Sequence, residues 1–213
     1  MTIINGRACV ANGTPVDKVF SDGRQVYGRN IIADSGFESG NTPANYAWGD
    51  GNLENRIFSV SERPNESYPS PIGKFMLQVG NYSTDSATRL DQYAFWPITP
   101  VLIKKGETWT YSYYYASAGT ATGQASDYLM VDSNNPIYEL SMGHDLRETS
   151  GGQTTWHRFV KTWKADRDVT VTNLRFGFVK TSANIGGWVC IDNIKLEKDS
   201  VVTPWTPAPE DVM

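Results

Sequence analysis

The sequence predicts an all-β chain: a two-sheet antiparallel β-sandwich carrying an N-terminal β-hairpin extension and an extended, proline-rich C-terminal tail. Three observations predict it. No 12-residue window free of Gly and Pro carries apolar residues at the i, i+3, i+4, i+7 spacing of a helix face. Strand-like runs recur instead, at residues 56–62, 74–80, 89–99, 109–116, 128–132, 137–142, 156–165, 169–180 and 187–198, with turn residues between them. The 19 Gly and 11 Pro are spread along the chain rather than clustered, as many short strands joined by tight turns require.

Taken in order, residues 1–29 form the extension, and residues 16–27 within it read as a hairpin turning at Ser21-Asp22-Gly23, since Gly accepts the positive φ of such turns. Residues 30–198 form the sandwich. In residues 108–116, Trp109, Tyr111, Tyr113 and Tyr115 share one face, large enough to be core. Thr110, Ser112, Tyr114 and Ala116 share the other, small and polar enough to be read as a solvent-facing groove floor. Phe75, Leu77 and Val79 alternate with Met76 and Gln78, and Leu174, Phe176 and Phe178 alternate with Asn173, Arg175 and Gly177. Residues 199–213 contain Thr203-Pro204-Trp205-Thr206-Pro207-Ala208-Pro209, where each Pro fixes φ and removes a donor, so the tail is extended.

The totals set limits on function. A chain of 213 residues with 12% aromatics fills one core and leaves rings over for a surface. The net charge of −4, without a basic run, argues against nucleic acid, whose phosphates demand an electropositive face. No apolar stretch approaches the roughly 20 residues of a membrane span, and the N-terminus lacks the basic start and apolar segment of a secretion signal. The expectation is a protein made in a cytoplasm and released by lysis. Cys9 and Cys190 read as free thiols, Cys190 in the core, and two Cys with two His leave little to build a zinc site.

Four segments in order carry a family resemblance. Asn30-Ile31-Ile32-Ala33-Asp34-Ser35-Gly36-Phe37-Glu38 is similar to the "N-L-L-x-N-G-G-F-E" opening of the jelly-roll carbohydrate-binding modules found beside xylanases and glucanases. Residues 106–113 resemble their "G-K-x-Y-T-L-S-F" strand, and Trp156-His157-Arg158-Phe159 their "W-x-R-Y/F" strand. Trp188-Val189-Cys190-Ile191-Asp192-Asn193-Ile194-Lys195-Leu196 resembles their closing "Y-Y-I-D-D-V-x-L". The chain departs from the pattern at Asn193, where the family has a second Asp, and at Ser35-Gly36. The flanks, Val26-Tyr27-Gly28-Arg29-Asn30 and Lys195–Lys198 followed by Trp205–Asp211, resemble the joints around such modules in tail and baseplate proteins of phages of lactic acid bacteria.

The resemblance implies a jelly roll, a structural Ca²⁺ and a non-catalytic adhesive role in a virion. The positions matching the family's calcium motif are the side chains of Glu38 and Asp192 and carbonyls near Gly36 and Lys74, oxygen donors of the type Ca²⁺ takes. A saccharide presents flat CH faces ringed by hydroxyls, so its site needs exposed rings beside planar polar groups. The candidates are Gln78, Tyr93, Tyr114 and Arg175 on strands and Tyr46, Trp48 and Tyr82 in loops, whereas Trp109, Tyr111, Trp156 and Trp163 read as core. The expected partners are bacterial cell-wall polysaccharide and other tail or baseplate proteins, with several copies per particle to supply avidity. Two other readings stay open: an assembly protein with no sugar site, and a wall-degrading glycosidase drawing on Asp127, Asp132, Glu139, Asp145 or Glu148. No nucleophile-elbow or metalloprotease motif appears, and acidic residues in polar loops are usually only solvated, so the expectation is that the chain is not an enzyme.

Overall fold

The alternating strands pair into two five-stranded antiparallel sheets. A computed structural model describes residues 9–41, 44–49, 56–62, 73–81, 90–119, 124–131, 144–145, 156–180 and 187–211. The first sheet holds β5 (Ala44–Gly49), β8 (Leu90–Ile103), β10 (Gln124–Val131), β11 (His144–Asp145) and β13 (Val169–Lys180), in the order β11-β10-β13-β8-β5. The second holds β6 (Arg56–Glu62), β7 (Phe75–Asn81), β9 (Thr108–Gly119), β12 (His157–Lys164) and β14 (Gly187–Lys198), in the order β12-β9-β14-β7-β6. The chain passes repeatedly from one sheet to the other, so the two close on each other as a jelly-roll sandwich.

The core lies where the sequence places it. Trp109, Tyr111, Tyr113 and Tyr115 of β9 are buried with Leu77 and Val79 of β7 and with Val189, Ile191, Ile194 and Leu196 of β14. Ile98 and Ile103 of β8 and Val171 of β13 meet them from the facing sheet. Trp163 packs partly buried against this cluster, and Trp156 is buried in a second one with Met76, Ala116 and Cys190. Both Cys9 and Cys190 are free thiols.

Two expectations need correction. Tyr46 and Trp48 stand on a strand, β5, not in a loop; a run of two Ala, an Asn and a flanking Gly carries too little β-propensity to announce itself. Thr110, Ser112 and Ala116 are buried rather than a solvent-facing floor, because other parts of the chain cover them. The strand expected at 137–142 lies outside the described residues.

Trp156 and Met76 pack against Ala116, and further covering of this face comes from the ends of the chain. β3 (Lys18–Ser21) and β4 (Arg24–Gly28) form the expected hairpin, with Asp22 at φ 51° and Gly23 at φ 74°, the paired positive values that match the strands' own twist. The same Asx-Gly chemistry at Asn12 and Gly13 joins β1 (Val10–Ala11) to β2 (Thr14–Pro15). Tyr27 of β4 and Thr203, Trp205, Thr206 and Ala208 of the tail are buried, and the tail ends in a short 3-10 turn at Pro209–Asp211. Gly28 sits against the Glu197 carboxylate so closely that a Cβ there would collide with it. We call this pair of docked termini the clasp.

Candidate functional site

The outer face of the first sheet is set by register. Along β8, positions 96, 94 and 92 fall on one side of the sheet and positions 95, 93 and 91 on the other. A bulge at Thr172 resets β13, so that Arg175 pairs with Phe95, Gly177 with Tyr93 and Val179 with Asp91. Strand β5 adds Tyr46 opposite Tyr93 and Trp48 opposite Asp91, and β10 adds Tyr128 opposite Arg175. Residues directly opposite in an antiparallel pair share a face. Tyr46, Trp48, Tyr93 and Arg175, scattered over 130 positions of sequence, therefore occupy one side of one sheet. Phe95 and Tyr128, neither of them among the sequence candidates, join them.

Gln78 and Tyr114 lie elsewhere, on the outer face of the second sheet. Gln78 pairs with Cys190, which pairs with Ala116, while Tyr114 pairs with Asp192 and Arg158. Tyr114 is half-buried against the Trp156 cluster, with the Arg158 guanidinium 5.8 Å from its ring centre. Tyr82 lies outside the described residues. The seven sugar candidates thus divide: four gather on the first sheet and two on the second.

The lower part of that second face is a sealed polar network. Lys195 and Glu197 of β14 are both fully buried and 3.3 Å apart. The Lys195 ammonium donates to Thr203 Oγ1 (2.6 Å) and to the Pro204 carbonyl (2.8 Å). Glu197 accepts from the Thr203 amide (3.1 Å) and hydroxyl (2.6 Å), and Arg158 reaches the Thr203 carbonyl at 2.6 Å. Burial holds the Lys195 ammonium down to about 8, against the upward pull of Glu197, and Arg158 pushes the same way as burial. Asn30 explains the first letter of the opening motif. Its Nδ2 donates to Ser35 Oγ, the Ile194 carbonyl and the Thr206 carbonyl, while its Oδ1 accepts from the amides of Ile32 and Leu196. One side chain so ties the opening segment, the β14 bulge and the tail together.

The oxygen donors read as a calcium set lie on the opening loop, at the start of β7 and on β14. Glu38 Oε1 accepts from the amides of Lys74 (2.7 Å) and Phe75 (3.1 Å). Asp192 is buried, and its Oδ1 accepts from the Asn193 amide (2.6 Å) and Nδ2 (3.1 Å); Gly36 packs beside that same Asn193 side chain. In type these donors fit a hard cation: two carboxylates and neighbouring carbonyls. Among the described residues no group of three or more His, Cys, Asp or Glu side chains gathers. Of the acidic residues weighed for catalysis, Asp127 and Asp145 sit on β10 and β11, and Asp132, Glu139 and Glu148 lie outside the described residues.

No protein-family model and no curated protein matches this sequence. Solved structures do share the architecture. The chain superposes on the enzymatically active domain of tailspike protein 4 of Bacteriophage CBA120 with a TM-score of 0.55 at 10% identity, over 80% of this chain and 21% of that one. A cyclase from Fischerella sp. TAU, in complex with 4-(1H-indol-3-yl)butan-2-one, superposes with a TM-score of 0.55 at 12% identity, over 83% of this chain and 100% of that one. The fit is looser, at 0.48 and 15% identity, to TmCBM61 in complex with beta-1,4-galactotriose, over 80% of this chain and 99% of that one. This chain thus spans about a fifth of the tailspike chain's length. The first two likenesses show the sandwich fold, which proteins of quite different activity share.

Proposed function

We propose that this chain is a non-catalytic carbohydrate-binding module that holds bacterial cell-wall polysaccharide on behalf of a phage tail or baseplate. One observation supports the reading: in register, Tyr46, Trp48, Tyr93 and Arg175 share one side of the first sheet, with Phe95 and Tyr128 in the same rows, and we read that side as the outer one. Aromatic and planar polar residues arrayed on one sheet face suit a chain of amphipathic sugar rings. Gly177, between Arg175 and Val179 in the same row set, adds no side chain and leaves room at the centre. The four family-like segments and the tail-protein-like joints support the carbohydrate and virion parts of the reading. A shallow site of this kind binds weakly, since few atoms are buried against the ordering cost, and several copies on one particle raise avidity by ~10²–10⁴.

The test is retention of the fluorescently tagged chain on intact Gram-positive cells, with purified wall polysaccharide as competitor. Saturable, displaceable binding is expected, lost in Tyr93→Ala and Arg175→Ala and kept in Tyr114→Ala. A folded Tyr93→Ala protein that still binds fully would overturn the site, and no binding by a multimerised wild type would overturn the function. Calcium belongs to the same proposal as a structural staple held by Glu38, Asp192 and the carbonyls of Gly36 and Lys74. Chelator should lower the wild-type Tm and leave Asp192→Ala, already lowered, unmoved; a wild type indifferent to chelator removes the metal.

A second reading draws on the ends of the chain. Of the seven large apolar residues exposed among the described ones, five lie there: Val10, Phe20, Val26, Val201 and Val202, with Phe20 60% exposed. Surplus apolar surface on the hairpin and tail favours a protein contact at the termini, as attachment of the module to its virion neighbours requires.

A further inference from the structure

A cleft of about 350 Å³ opens where the clasp meets the sandwich. Its floor is apolar, made by Ile31, Val101 and the edge of buried Trp109, and its outer lip is the β8 bulge at Thr99 and Pro100. One wall comes from the terminal segments. Arg29 lies between Asp17 and Glu210, with a 2.6 Å hydrogen bond to Glu210 and a 3.6 Å ion pair to Asp17. The opposite wall is the Lys198–Glu107 pair, and Glu107 also accepts from the Trp109 indole N–H at 3.2 Å. Lys198, the indole and the Lys104 amide hold the Glu107 carboxyl down at about 2, so it is ionised at any working pH.

We infer that this cleft is a second binding site, separate from the first sheet's outer face, that takes one neutral sugar ring. The volume is at the lower end of small-molecule clefts, room for one or two rings rather than a polymer. Three carboxylates and two cations face it, so its net charge is −1, counting Asp17, Glu107 and Glu210 against Arg29 and Lys198. That near-balance repels phosphate and gives a lone cation little. What remains is a rim of charged hydrogen-bonding groups with unused acceptor positions, fixed in place by their own pairing, around an apolar floor. A pyranose, with hydroxyls at its edge and a CH face beneath, is complementary to that arrangement. The cleft exists only because residues from both termini dock on the sandwich: Asp17 and Arg29 come from one end and Glu210 from the other. The ligand class rests on the carbohydrate reading; the location does not.

The experiment is a titration of the ¹⁵N-labelled full chain with methyl β-glucopyranoside and with N-acetylglucosamine, following the Trp109 indole N–H. Saturating shifts in the millimolar range are expected from at least one of them, with glucose 6-phosphate about tenfold weaker. Thr99 is exposed at the lip, so Thr99→Trp should fill the cleft and abolish the shifts without changing Tm, while Tyr93→Ala should leave them intact. Shifts that survive Thr99→Trp, that vanish in Tyr93→Ala, or that fail to appear with either sugar would overturn the site. Because the readout is a single indole signal, loss of cell retention with persistent Trp109 shifts sinks the module reading alone. Retention without Trp109 shifts sinks the cleft alone.

Discussion

The two sheets of this sandwich turn opposite kinds of outer face away from a shared core. On the first, register lines up aromatic and planar polar residues: Tyr46, Trp48, Tyr93, Phe95, Tyr128 and Arg175. On the second, the equivalent side of β9 and β14 presents Thr110, Ser112, Lys195 and Glu197, every one of them buried, with the tail bonded to Thr110, Lys195 and Glu197. Read as sequence, the second face is the more obvious groove, since small polar residues alternate there with a strong aromatic core stripe. The difference teaches that strand alternation tells core side from outer side and says nothing of what else covers the outer side. A face built of polar residues is an open site only if the chain leaves it open.

The largest effect that sharpens this contrast is loss of the clasp's anchor. Trp205 is 6% exposed, its indole N–H donating to Ser35 Oγ (3.2 Å) and the Ile194 carbonyl (3.1 Å) while its ring packs on Gly36. Trp205→Ala should cost about 3–5 kcal/mol in urea unfolding, the usual range for emptying a buried Trp site. Arg175→Ala, on the face read as open, should stay within about 0.5 kcal/mol, as surface replacements do. Equal costs at the two positions would erase the distinction between covered and open faces.

Next comes the buried ion pair. Removing one partner of such a pair strands the other charge out of water, so Lys195→Met should cost about 3 kcal/mol even though Thr203 still donates twice to Glu197. Replacing both, Lys195→Met with Glu197→Leu, should recover most of that loss, because well-packed apolar groups often match a buried pair. The check is the urea midpoint at unchanged m-value. A single replacement that costs nothing would mean that the face beneath the tail is solvated.

How much of this was legible in the sequence follows from what each signal depends on. The β9 stripe, the hairpin at Asp22-Gly23 and the closing strand were readable because period-2 alternation and Asx-Gly turns are local. Strand β5 was not, since its six residues earn strand geometry only by pairing with β8. The site was half legible. Residue type picked out Tyr46, Trp48, Tyr93 and Arg175, but only the long-range pairing of β5, β8 and β13 decides that they share one side of one sheet, while Gln78 and Tyr114 stand on the other sheet. Burial of Thr110 and Ser112 was illegible for the same kind of reason: Thr110 bonds to Thr162 and the Asp199 carbonyl and Ser112 accepts from Arg158, all far away in sequence.

The smallest effect is read in pH, and it tests the sealing of the second face directly. Lys195 titrates at about 8 in the folded chain against 10.5 when free, because burial opposes the charge, and Glu197 pulling up is outweighed. Between those values the unfolded chain holds the proton that the folded chain has released, so stability should rise as pH climbs from 8. Above it lie groups of opposite sign: burial raises the Cys9 thiol above 9, and beyond that comes Tyr27, whose ring centre lies 5.8 Å from the ammonium. Burial raises its hydroxyl above 10, so its own contribution is lost once the pH passes that value, and the two trends oppose each other there. The Tm should therefore rise from pH 8 toward 9 in the wild type and stay level over the same range in Lys195→Met. A wild type that falls across this window places Lys195 in water, and with it the whole polar face that the termini cover.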